Sequence, residues 1–241
     1  YGAWMALWDE LTLPAEKKTG YDTMMGASVS GAGTLFIPLK FWFCRHPGSA
    51  IPLVALQFHE VKLTFQFGTV SNSGISSIKL FADYVYLDEE ERQRFSQSAQ
   101  EYLIEQVQYH SANLVAGSNS VSLPFNHPVK ELVWSTGSVM DTGAKITFNN
   151  QDRAAARPAE YYNLVQPYQH HTRIPSSTTV YCYSFGLRPE EHQPSGTVNF
   201  SRIDNASITI PASGTDTASI YAVNYNVLRV QSGLGGLAYS N

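Results

Sequence analysis

Apolar residues fall at every second position through much of the chain, in short runs closed by Gly, Ser, Asn or Pro. That is the pattern of strands with one face turned inward. Val61, Leu63, Phe65 and Phe67, with Lys62, Thr64 and Gln66 between them, show it most plainly. The same reading predicts strands in LFIPLKFWFC (35–44), SIKLFADYVYL (77–87), VSLPF (121–125), AKITFN (144–149), TVYCYSFGL (179–187), ASITI (206–210) and SIYAVNYNVLRV (219–230). Two stretches depart from it. Trp4, Leu7, Trp8 and Leu11 recur at helical spacing ahead of Pro14, and Asp88 followed by Glu91 resembles a capping box opening EEERQRFSQSAQ. The second predicts a short helix over 89–98, and the alternating EYLIEQVQY beyond it a strand over 101–109. The expectation is a nearly all-β protein.

Part of the pattern recurs. In LKFWFCRHPGSAIPLVALQFHEVKLTF (39–65) and YCYSFGLRPEEHQPSGTVNFSRIDNASITI (181–210), an aromatic strand ends near an arginine, a Pro/Gly/Ser loop follows, and then a second strand. Arg45 answers to Arg188 and Phe58 to Ile203 at nearly the same offset. Small polar loops come next, GTVSNSGIS (68–76) and PASGTDTAS (211–219), and then long strands around Tyr84 and Tyr225. The second copy has a long run of strands ahead of its repeated part and the first has little but helix and loop. The asymmetry predicts that the first domain lacks its beginning and that Tyr1 is not the natural start.

Composition narrows the classes. With 241 residues, 43% of them hydrophobic, the chain can bury a large core. Sixteen Lys and Arg against twenty Asp and Glu give a net charge of −4, the opposite of a phosphate-neutralising surface, so direct nucleic-acid binding is not expected. Cys44 and Cys182 each lie in an apolar, aromatic run, where a free thiol behaves as a small hydrophobe; two such cysteines make no disulfide framework. No apolar run is long enough to span a bilayer, and no charged-then-apolar leader opens the chain.

Candidate chemistry is sparse. The C-terminal SGLGG (232–236) lacks the Lys-Ser/Thr of a phosphate loop and has no room for a following helix, so Gly233, Gly235 and Gly236 read as a turn and a close approach. His170 and His171 are adjacent and would point to opposite faces of a strand, and His46, His59, His110, His127 and His192 stand apart, so no metal site is assigned. No nucleophile motif is present, and Glu190 and Glu191 beside Arg188 and His192 read as a loop ion pair. No catalytic, cofactor-binding or metal residue is expected, and no cofactor.

Five stretches together are specific: FWFCRHPGSAIPLVALQFHEVKL (41–63), ADYVYLDEEERQRFSQSAQEYLIEQVQ (82–108), FNHPVKELVW (125–134), YSFGLRPEEHQPSGTVNFSRIDNA (183–206) and NYNVLRVQSGLGGLAYSN (224–241). In them the chain resembles the major capsid proteins of the nucleocytoplasmic large DNA viruses, of the algal-virus, iridovirus and marseillevirus type. The resemblance implies an all-β fold of tandem antiparallel jelly-roll sandwiches, a double jelly roll, the first incomplete here. Residues 1–88 would be the C-terminal part of the first and 89–241 the second. It implies a structural protein of the virion shell, not an enzyme. Homotrimers would form pseudo-hexagonal capsomers of an icosahedral capsid, assembled in the host-cell cytoplasm with minor capsid and penton proteins over an internal membrane. SANLVAGSNS (111–120) and HHTRIPSST (170–178) would then be loops, and 89–98 the joint between sandwiches. The alternative of another class is a jelly-roll glycan-binding module. Against it, Trp4, Trp8, Trp42 and Trp134 all have apolar neighbours and read as core.

Overall fold

A computed structural model describes residues 1–26, 33–66, 75, 77–140 and 142–240. The helices are α1 (Gly2–Thr12), α2 (Ala15–Met25), α3 (Glu89–Gln97) and α4 (Gln166–His170), the last continuing a π-helical turn at Tyr161–Val165. The strands are β1 (Gln100–Leu114), β2 (Gly117–Ser122), β3 (Pro128–Ser135), β4 (Ala144–Phe148), β5 (Gln151–Arg157), β6 (Val180–Ser184), β7 (Val198–Asn199), β8 (Ala206–Ala212), β9 (Asp216–Gln231) and β10 (Leu234–Leu237). They fold as two compact units, residues 1–18 with 104–226 and residues 19–103 with 227–240.

The first unit is a jelly-roll sandwich. One sheet runs β1-β9-β3-β6, with β10 on β9 and β7 on β3; the other runs β2-β8-β4-β5. The β3–β6, β3–β9, β2–β8, β4–β8 and β4–β5 ladders are all antiparallel. Between the sheets lie Leu132 and Trp134 of β3, Tyr181 of β6 and Ile220 of β9, against Val121, Ile146, Ile208 and Ile210 of the other sheet. The alternate residues Val133, Cys182, Tyr221 and Val223 point the other way, where Trp4, Trp8 and Leu11 of α1 cover them. β3, β6 and β9 are therefore buried on both faces along these stretches, which is why VYCY (180–183) and IYAV (220–223) carry apolar and aromatic residues at successive positions. Each fully buried side chain of this size contributes roughly 1.5–3 kcal/mol of transfer free energy. The inner tyrosines also satisfy their hydroxyls: Tyr162 donates to the Ala144 carbonyl (3.0 Å) and Tyr181 accepts from the Met140 N–H (3.0 Å).

The helix predicted over 89–98 is α3, and Asp88 caps it by accepting from the Glu91 N–H (2.8 Å). The strand predicted over 101–109 is the larger part of β1. The segment 111–120, expected as a loop, is instead the end of β1 and the start of β2, with a short turn that carries the chain from one sheet to the other. The segment 170–178 does run as a loop between α4 and β6.

In the second unit the expected strands fail to form. The described parts of 35–44, 61–67 and 77–87 join no ladder, and Trp42–Cys44 is a 3₁₀ turn; Phe67 lies outside the described residues. Alternation gives a segment two faces, but a strand exists only when successive N–H and C=O groups meet a neighbouring strand; among the described residues these segments form no such ladder, although the Phe36 N–H donates to the Met24 carbonyl (3.0 Å). Of the polar loop at 68–76 only Ile75 is described. Beside the helices, this unit holds the C-terminal hairpin. β10 folds back on β9 through Gly233, whose φ of +80° is in the left-handed region. The Gly233 carbonyl accepts from the Phe58 N–H (2.9 Å), and a Cβ there would run into the Phe58 ring. The turn and close approach expected of the terminal glycines are what the structure shows.

Candidate functional site

Two consecutive charged residues sit in the middle of β3, a strand buried on both faces. Lys130 is 1% exposed and Glu131 0%. Strand periodicity would send them to opposite sides, but the β3–β9 ladder shifts register between Val129 and Glu131. Val129 and Leu132 face the sandwich interior and Val133 the outer side, so this bulge leaves both Lys130 and Glu131 on the outer face, beneath α1. Lys130 Nζ lies 2.6 Å from Glu105 Oε1 of β1 and stands over the rings of Trp8 (5.9 Å) and Tyr225 (5.5 Å).

Glu131 pairs with His171, the residue that follows α4 as its C-cap: Nε2 lies 3.1 Å from Glu131 Oε2, and Nδ1 lies 3.1 Å from Glu190 Oε1. The His171 side chain is fully buried, and the Trp8 ring meets it edge-on at 6.2 Å. Burial works against a proton on this imidazole, but the charge of Glu131 and the bonds to Cys182, Glu131 and Glu190 outweigh it and push the pKa up to about 12. Glu190 shows the converse. Burial would raise it, yet the bonds from His171 and from the Thr172 hydroxyl and N–H (2.7 Å to the N–H) hold it below the ordinary carboxylate value.

The adjacent histidines do part company, but at the end of a helix rather than on a strand: His170 Nδ1 lies 3.0 Å from the Leu187 carbonyl. The Glu190–Glu191 pair divides as well. Glu191 makes the expected exposed loop pair with Arg188 (2.9 Å), whereas Glu190 turns inward to His171. No sequence signal joins residues 131, 171, 182 and 190. The one available hint was the charged pair inside FNHPVKELVW, whose flanks are otherwise apolar.

The cluster holds acids, a base and a thiol, but its chemistry is closed. The Cys182 thiol is fully buried, and burial, only partly offset by His171, keeps it protonated. Cys44, expected to be buried like it, is exposed. Among the described residues no three His, Cys, Asp or Glu side chains form a group that could hold a metal. A shallow, mostly apolar notch of about 400 Å³ lies in the second unit, lined by Trp42, Leu56, His59, Val61 and Leu228. His59 there accepts from the Gly235 N–H (2.9 Å) and so serves the backbone. Trp4, Trp8 and Trp134 are buried as expected, and Trp42 is half-buried. Three of the four tryptophans are thus spent on cores.

The chain matches the family model described as large eukaryotic DNA virus major capsid protein over residues 91–143 and 138–236, and the model for the N-terminus of major capsid proteins over residues 1–88. The chain belongs to this capsid protein family. It is 43% identical to the major capsid protein of Pyramimonas orientalis virus, over all of this chain and 72% of that one. It is 35% identical to that of Paramecium bursaria Chlorella virus 1, over all of this chain and 75% of that one. Its structure superposes on the PBCV-1 virus capsid with a TM-score of 0.84 at 34% identity, covering the whole chain and 80% of the other. The Faustovirus major capsid protein, at 14% identity and a TM-score of 0.53, shares the fold over 61% of the chain. This capsid protein thus has the double jelly-roll fold and is a structural component of the virion shell, not an enzyme. The buried charges are accordingly part of its architecture, and a glycan-binding role finds no support.

Proposed function

We propose that this capsid protein assembles as homotrimers that form the pseudo-hexagonal capsomers of an icosahedral shell. The observation that carries the reading is the superposition of the entire chain on the PBCV-1 virus capsid. Symmetry makes the arrangement economical: two similar sandwiches per chain and three chains give six similar blocks, so a threefold molecule can occupy a nearly sixfold lattice site. Residues 1–88 are assigned to the first jelly roll and 89–241 to the second, a division supported by family matches that change over between residues 88 and 91. Closed sandwiches leave their connecting loops free for contacts between capsomers.

In this reading the further partners are minor capsid and penton proteins, the shell lies over an internal membrane, and assembly takes place in the host-cell cytoplasm. No helix among the described residues is long and apolar enough to cross a membrane. Light scattering after size exclusion of the natural-length chain tests the proposal. A mass of three chains is expected; a stable monomer across the micromolar range would overturn it.

A further inference from the structure

The loop that leaves β3 is fastened to one carboxylate. Asp216, the first residue of β9, accepts on Oδ1 from the Gly137 N–H (3.0 Å) and on Oδ2 from both the N–H (2.9 Å) and the hydroxyl (2.8 Å) of Ser138. The Thr217 N–H beside it also donates to Oδ1 (2.7 Å). The β3–β9 ladder ends with Ser135 opposite Ser219, so the carboxylate continues the connection where backbone pairing stops. Two further bonds hold the loop: the Thr136 hydroxyl donates to the Ser138 carbonyl (2.5 Å), and the Met140 N–H donates to the Tyr181 hydroxyl (3.0 Å). Between Ser138 and Met140, Val139 is held 50% exposed. The approach requires a glycine, since a Cβ on residue 137 would lie 2.4 Å from Asp216 Oδ1.

Hydrogen bonds to an ionised acceptor are roughly twice as strong as neutral ones. A proton on the carboxyl group removes that charge and turns one oxygen into a donor. Each oxygen here faces an N–H of the loop, so neither can take the proton without setting donor against donor. We propose that Asp216 is a proton-sensitive clip for the β3–β4 loop. Ionised, it holds Gly137 and Ser138 to the start of β9 and fixes the display of Val139; protonated, it lets them go while the sheet stays paired. The three bonds from the loop exist only when the loop is closed, so opening and protonation favour each other. The proposal stands whether or not the protein trimerises.

The direction of the pH response follows from the same bonds. Burial would raise the Asp216 carboxyl, but the donors on Ser138, Thr217 and Gly137 outweigh it and hold the group below its ordinary value of 3.8. Few other charges enter. Residues 111–116, 135–138 and 213–217 carry none besides Asp216. Tyr181 of β6 is pushed up by burial and is neutral throughout the acid range, and Glu160 is the other acid whose charge reaches that phenol. Asp141, further along the loop, lies outside the described residues. With its folded value depressed, Asp216 contributes fully above pH 3.8 and loses its contribution as the pH falls through that folded value. The loop is therefore held at neutral pH and released in acid.

Hydrogen exchange of the full chain from pH 3 to pH 7, corrected for intrinsic amide rates and read at Gly137, Ser138 and Met140, tests this. The opening constant of the loop is expected to be flat above about pH 5 and to rise below about pH 4 by up to about tenfold per unit, the limit for uptake of one proton. β3 and the middle of β9 should keep their protection over the same range. Asp216→Asn turns an NH2 group toward the loop donors and should raise loop opening at pH 7 by about tenfold while removing the acid response. Should that variant not fold, Gly137→Ala drives a Cβ into the carboxylate and should open the loop at pH 7 with β3 intact. Glu160→Gln and Asp141→Asn should each leave the acid response in place. A flat wild-type profile, a response that survives Asp216→Asn or vanishes in either of the other acid variants, a loop unmoved by Gly137→Ala, or β3 opening together with the loop would each overturn the proposal.

Discussion

Phe81 and Tyr86 in the second unit are 80% and 91% exposed, whereas Ile208 and Ile210 in the first are fully buried, although both pairs come from segments whose apolar pattern predicts strands. The sequence pattern is of one kind and the outcome is opposite. In the first unit the inward Leu132 and Trp134 of β3 meet the opposing sheet, and the outward Lys130 and Val133 meet α1. In the second, residues 61–66 and 77–87 have neither a ladder nor a facing layer among the described residues. Alternation therefore specifies which face a segment will bury, and backbone pairing decides whether there is anything to bury it against.

Substitutions can break that comparison. Trp134→Ala removes a ring packed against Tyr162 (5.3 Å) and Tyr181 (5.8 Å) and is expected to cost about 3–5 kcal/mol in urea unfolding of the first unit. Phe81→Ala should stay within about 0.5 kcal/mol in the same assay; a loss comparable to that of Trp134→Ala would erase the distinction. Lys130→Met strands the Glu105 carboxylate in the interior and should cost about 3 kcal/mol, while the double change with Glu105→Leu should recover most of it, because two matched apolar groups replace the ion pair without leaving a charge alone. Thermal unfolding of the single and the double variant reads this directly.

Smaller effects sharpen the picture in the second unit. Gly233→Ala places a side chain at positive φ against the Phe58 ring, and a loss of about 1–2 kcal/mol is expected in the protection of the β9–β10 hairpin by hydrogen exchange. The half-exposed Arg229–Glu101 pair should contribute no more than about 1 kcal/mol, vanishing in high salt, when Glu101→Gln is compared with the parent at low and high ionic strength.

Much of the first unit could be read directly. β4, β6, β8 and β9 announced themselves by alternation or by short apolar runs, and α3 by its cap. β3 escaped because Lys130 and Glu131 interrupt PVKELVW, and only the bulge, which pairing with β9 creates, makes two adjacent charges compatible with a strand buried on both faces. β5 escaped because a single residue of QDRAAAR, Ala154, is buried. The His171 row was illegible for a different reason: its members come from β3, the end of α4, β6 and the loop before β7, and their proximity is a product of topology rather than spacing. Exposure of Cys44 likewise follows from a missing ladder, since an aromatic run becomes a core strand only where it is paired. Family membership was carried by long quoted stretches, which preserve side-chain identity even where periodicity misleads.

Amide exchange of the whole chain at neutral pH, resolved to peptides, tests most directly whether pairing separates the two units. Strands β3, β6 and β9 are predicted to stay protected up to the global unfolding free energy, while residues 61–66 and 77–87 exchange at nearly intrinsic rates. Equal protection of 77–87 and β9 would contradict the account.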